Sequence, residues 1–211
     1  MDALLSTTQL LPFLVASILL TLAPGPDNLL VLGLGMARGR RQGVAFGLGC
    51  AAGCLNHTLL AALGVSAVIV ASDLAFAALR IAGGLYLVWL GIQAIRHAGP
   101  AGTANLAVPA ESCSRLFWRG LVANAINPKV VLFFLAFLPQ FVSAERGDAP
   151  WQIVQLGVVF ALQAAVVFGL IGLFAGVLGE RLARSPGFST LLDRVAGGIF
   201  LLLGIRLLSG R

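Results

Sequence analysis

Ala23-Pro24-Gly25-Pro26-Asp27-Asn28 sits inside an apolar run from Leu10 to Met36, and its reading decides the fold. In a soluble protein this stretch would mark a turn. Here it interrupts a segment long enough to cross a bilayer, for which about 20 apolar residues suffice. Proline has no N–H to donate and its ring clashes with the preceding turn, so Pro24 and Pro26 release the carbonyls of Leu20 and Leu22. At membrane depth such backbone is tolerated only where protein or an aqueous cavity satisfies it. Gly25-Pro26 then restarts a helix. That puts Asp27 in the first turn, where the positive end of the helix dipole favours an anion.

The rest of the chain is built for the same environment. Of its 211 residues 59% are hydrophobic and 10% charged, and the mean hydropathy is +0.98, against roughly 45–50% apolar and 25% charged in soluble domains. An all-α integral membrane protein follows. The net charge of +6 comes from 13 arginines and one lysine. Most of the arginines lie in breaks between apolar runs, which fits cytoplasmic loops and anionic lipid headgroups rather than nucleic acid. Cys50, Cys54 and Cys113 form no CxxC pair and read as small residues of a membrane helix and a loop. The first apolar run exceeds the roughly 7–15 residues of a signal h-region, so no cleavage is expected.

Six spans are expected, at about Leu10–Met36, Gly43–Ala71, Leu74–Ile95, Leu116–Val142, Trp151–Leu178 and Phe188–Leu208, with a mobile polar loop from Arg96 to Ser114. They make one transmembrane domain over residues 1–211. The loops after the first, third and fifth spans hold nine arginines and the opposite side four, which puts both termini outside the cytoplasm. An internal repeat is visible. Arg80-Ile81-Ala82-Gly83-Gly84 recurs as Arg194-Val195-Ala196-Gly197-Gly198, and Leu90-Gly91-Ile92 as Leu203-Gly204-Ile205. Earlier in each half, Gly25-Pro26-Asp27 corresponds to Asn127-Pro128-Lys129. The halves are thus two three-helix units, about 10–95 and 116–208, and an odd number of spans makes them inverted repeats with broken first and fourth helices. Transporters are often built this way, with the broken helices meeting near the midplane. GxxxG spacings at Gly43, Gly47, Gly49 and Gly53, and at Gly172 and Gly176, point to close helix contacts. They would also permit a homo-oligomer.

The charges at the breaks need partners. A central Asp or Lys costs roughly 2.5–3.5 kcal/mol on insertion scales. Lys129 is the only lysine and follows Pro128 at the start of a half-helix, where a cation is disfavoured; Asp27 is the obvious counter-ion. Pro128 also frees the carbonyl of Asn124. Asn56 and His57 lie mid-span in the second helix, with Asn124 and Asn127 before the second break. His57 is open to two readings: a proton relay, since histidine titrates near pH 6.5, or a buried ring held by a neighbouring carbonyl. Gln163 and Tyr86 read as interhelical hydrogen-bonding groups.

Pro24-Gly25-Pro26-Asp27, the following Gly39-Arg40-Arg41-Gln42-Gly43, Asn127-Pro128-Lys129 and Phe137-Leu138-Pro139-Gln140-Phe141 together resemble the LysE/RhtB family. These are multi-pass bacterial inner-membrane exporters of amino acids and their derivatives. The resemblance extends over nearly the whole chain. It implies efflux of lysine-, threonine-, homoserine- or leucine-like compounds by proton antiport, without a cofactor. Joined to the reading of the breaks, it gives Asp27 the substrate's ammonium or a coupling proton, and gives Lys129 with the N–H groups after Pro128 the carboxylate. Pro24, Gly25, Pro26, Asn28, Asn127 and Pro128 would shape the site, lined by Asn56, His57 and Asn124. A metal-ion exporter or channel is the alternative; a thiol-reductant carrier lacks paired cysteines, and an enzyme lacks a nucleophile–base set.

Overall fold

The computed structural model describes residues 5–65, 72–96, 98, 111–143, 148–184 and 186–209. Most of the expected polar loop, and the end of the second expected span from residue 66 on, lie outside them. Within them the chain is helical throughout. It forms α1 (Thr7–Leu22), α2 (Pro26–Arg38), α3 (Arg40–Leu60) running on through a π turn (Ala61–Val65), and α4 (Asp73–Arg96). Then come α5 (Cys113–Ala125), α6 (Pro128–Leu132), α7 (Ala149–Leu173), α8 (Ala175–Arg184) and α9 (Pro186–Ser209). After α6 the helix widens into a π turn (Phe133–Phe137) and tightens into a 3-10 turn (Leu138–Phe141) that carries Pro139.

Both expected breaks are present. α1 and α2 meet at 56°, and α5 meets at 51° the helical run Pro128–Phe141 that α6 begins, each pair apolar enough to count as one bent span. α3, α4 and α7 are each long and apolar enough to cross on their own, which makes five candidate spans among the described residues. One expectation is corrected: the fifth span stops at Leu173, because the turn at Phe174 starts α8 as a separate helix. The sixth expected span coincides with the 24-residue α9, which carries Asp193, Arg194 and Arg206 and is not counted among the five candidates of the described residues.

Glycines set the helix contacts. A methyl group on Gly49 would run into the Phe117 carbonyl, and one on Gly53 would lie 2.8 Å from the Leu121 carbonyl oxygen and 2.9 Å from Asn124 Oδ1. α3 and α5 therefore approach backbone to backbone, running parallel. On another face of α3, Gly47 abuts Phe168 while Thr58 abuts Gly157, so α7 runs antiparallel to it. α4 and α9 are also antiparallel. Gly84 faces Gly204 and Gly91 faces Gly197, with methyl groups there only 2.7–3.2 Å from the facing carbonyls. Beneath the site, Phe133, Phe134 and Phe160 form a buried aromatic knot with ring centroids 5.0–6.1 Å apart. It backs the second break with a rigid apolar wall.

Candidate functional site

The site is built from the backbone that the prolines release. Leu20 O, freed by Pro24, accepts from Lys129 Nζ at 3.2 Å, and Ala23 O accepts from the same ammonium at 3.0 Å. Lys129 cannot serve the start of its own half-helix, so it reaches across to the C-terminal end of α1, where the dipole favours a cation. Phe200 of α9 covers it, with the ring centroid 5.9 Å from Nζ. The side chain is 7% exposed.

The second break reciprocates. Asn124 Nδ2 donates to Asp27 Oδ2 at 2.8 Å, and the Asp27 residue is only 2% exposed, in the first turn of α2. The Asn124 carbonyl, freed by Pro128, meets His57 Nε2 at 3.0 Å. A carbonyl can only accept, so Nε2 carries the proton. The His57 ring rests on Phe134 at 5.6 Å. Each break thus satisfies the other: Lys129 closes the end of α1, and Asn124 holds Asp27. Asn127 Oδ1 accepts from Lys129 N at 3.1 Å and starts α6, while Asn127 Nδ2 stays buried without an acceptor. Beside the first break a cavity of ≈ 360 Å³ is lined by Leu22, Pro24, Asn28, Ile171, Asp193 and Ile199, among others. That lies in the range of roughly 300–1,000 Å³ common for small-molecule sites.

Of the sequence-derived residues, Asp27, His57, Asn124, Asn127 and Lys129 come together, with Pro24, Gly25, Pro26, Asn28 and Pro128 forming the breaks. Asn56 does not join them. It is exposed, because a step of about 100° round α3 turns it outward as His57 turns in. The expected ion pair is also absent: Lys129 bonds to carbonyls, Asp27 to an amide, and neither to the other. Sequence reading missed Thr21 and Ser17 and gave Gln163 only an interhelical role. Thr21 Oγ1 donates to Ser17 O at 2.8 Å and accepts from Gln163 Nε2 at 2.8 Å. A hydroxyl one turn before a proline break was the signal available for Thr21.

Gly25 leaves the room Lys129 needs. A methyl there would lie 2.9 Å from Nζ and 3.4 Å from Cε. The Gly25 backbone is extended, which any residue adopts, so the clash is the only cost. Gly25→Ala is expected to shift the ammonium off one carbonyl and cut initial transport rates about tenfold, the equivalent of one charge-assisted hydrogen bond. Rates in liposomes at matched protein content check this.

Two bent spans joined at their breaks by buried charged and polar groups define a multi-pass helical membrane protein with a polar centre. The chain matches the LysE type translocator family over residues 18–211 and belongs to it; it is a transporter, not an enzyme. It is 32% identical over 202 residues to a homoserine/homoserine lactone efflux protein of Salmonella typhimurium, covering 94% of this chain and 95% of that one. It is 30% identical over 202 residues to a threonine efflux protein of Escherichia coli, covering 90% and 92%. A leucine efflux protein of Enterobacter sp. is 28% identical over 173 residues, 82% of each chain. No solved structure matches the chain.

Proposed function

We propose that this chain is a bacterial inner-membrane secondary transporter that exports amino acids or their derivatives in exchange for protons. One observation carries the reading: Asp27 and Lys129, both buried at the helix breaks, are each held by the opposite break. The relatives named for homoserine, threonine and leucine efflux support the substrate class.

The chemistry follows from the spare bonding capacity. Asp27 Oδ2 is taken by Asn124, and among the described residues no side chain bonds to Oδ1. It takes the substrate's ammonium and a proton in turn, and that competition gives exchange. Lys129 spends two of its three donors on Leu20 and Ala23. Its third donor and the unpartnered Asn127 Nδ2 receive the carboxylate. His57 positions Asn124, and through it Asp27.

Alternating access comes from rocking one three-helix unit against the other, as inverted repeats of a single domain of six spans with both termini outside the cytoplasm. The antiparallel α4–α9 seam favours this arrangement, because it joins the repeated glycines of one half to those of the other. In the test, purified protein is placed in liposomes loaded with labelled homoserine or threonine. An acidic exterior is expected to speed efflux at least about tenfold, and a protonophore to abolish the effect. Efflux indifferent to the gradient would remove proton coupling. Transport of a divalent metal but of no amino acid would favour the metal-ion reading.

A further inference from the structure

Two buried amides near the first break are left half-bonded. Asn28 on α2 gives Nδ2 to Thr21 O at 2.7 Å, and Gln163 on α7 gives Nε2 to Thr21 Oγ1 at 2.8 Å. Both orientations are fixed. Thr21 O can only accept, and the Thr21 hydroxyl spends its own proton on Ser17 O. The carbonyl ends, Asn28 Oδ1 and Gln163 Oε1, are therefore buried without a donor, on side chains of residues that are each 9% exposed. Buried polar groups are nearly always partnered. Two orphan acceptors gathered on one threonine call for a donor that arrives with a ligand.

The local charge selects which donor. Lys129 Nζ already sits on the carbonyls of Leu20 and Ala23, on either side of Thr21 in the chain. A second cation there would be repelled across a medium of low dielectric constant. A neutral O–H would not. Asn28 lines the cavity beside the break, in the first turn of α2 that also carries Asp27.

We propose that Asn28 and Gln163, organised by Thr21, form a subsite for a side-chain hydroxyl of the transported amino acid, and make this chain selective for hydroxylated over aliphatic substrates. The proposal rests on the amino-acid export reading. A hydroxyl has one proton, which the two oxygens share or take in turn. A site that hydrogen-bonds it rejects the analogue without it, because both buried acceptors are then left unpaired.

The test compares near-isosteric pairs in proteoliposomes: threonine with valine, and homoserine with 2-aminopentanoate. The expected efficiency ratio is about 100 in favour of the hydroxylated member. In Asn28→Leu and in Gln163→Leu it is expected to fall below about ten. A wild-type ratio near one, with both members carried, would overturn the subsite and leave amino-acid export standing. Carriage of neither member would overturn both. A ratio unchanged in folded variants would overturn the assignment to these residues, and if a variant fails to fold the wild-type ratio decides.

Discussion

Asp27→Asn is expected to stop transport, lowering initial efflux at least about 100-fold. Asparagine cannot exchange a proton and has no negative charge to hold an ammonium, yet it is nearly isosteric and can still meet Asn124. Truncating one member of a buried, hydrogen-bonded charge interaction costs about 2–5 kcal/mol, and each 1.4 kcal/mol is tenfold. Because the amide fits the same space beside Asn124, the thermal midpoint in detergent should change little. The loss would therefore be one of chemistry rather than folding. Efflux from liposomes, read alongside thermal unfolding, checks both parts.

Lys129→Met is expected to do more, because Lys129 closes the backbone at the other break. Without its ammonium, Leu20 O and Ala23 O lose their donor and Asp27 is left without a compensating charge in the centre of the protein. An uncompensated buried charge costs about 3–5 kcal/mol. Efflux should fall to background and the thermal midpoint should drop. Adding Asp27→Asn should restore part of the midpoint without restoring efflux, since the second change removes the stranded charge. A double-mutant cycle on the midpoints measures that coupling, and strictly additive midpoints would argue against it.

Much of this was legible in the chain because proline acts locally. Pro24, Pro26 and Pro128 told where backbone would be freed, and the bends of 56° and 51° lie at those places. Asp27 in the first turn of α2 followed from the same argument. What satisfies the freed carbonyls was not legible. That Lys129 would cap α1 rather than pair with Asp27 depends on how closely Gly25 lets its ammonium approach, a three-dimensional fact with no signature at Lys129 itself. Asn56 and His57 are neighbours with equal claims in the sequence, and only the rotation of α3, fixed by Gly49 and Gly53 against α5, sends one inward. Thr21 and Gln163 lie on separate helices, and nothing in either segment announces that they meet. The length of the fifth span was misread because Phe174 turns the chain without a proline or glycine at that residue.

The most direct measurement is proton release on substrate binding. Purified protein in weakly buffered detergent solution, with a pH indicator, is mixed with homoserine or threonine from about pH 5 to about pH 8. If the ammonium and the proton compete for Asp27, binding should expel up to about one proton per amino acid at some pH in this range. The release should be absent in Asp27→Asn. Saturable binding with no proton release at any pH, or release undiminished in Asp27→Asn, would contradict the account.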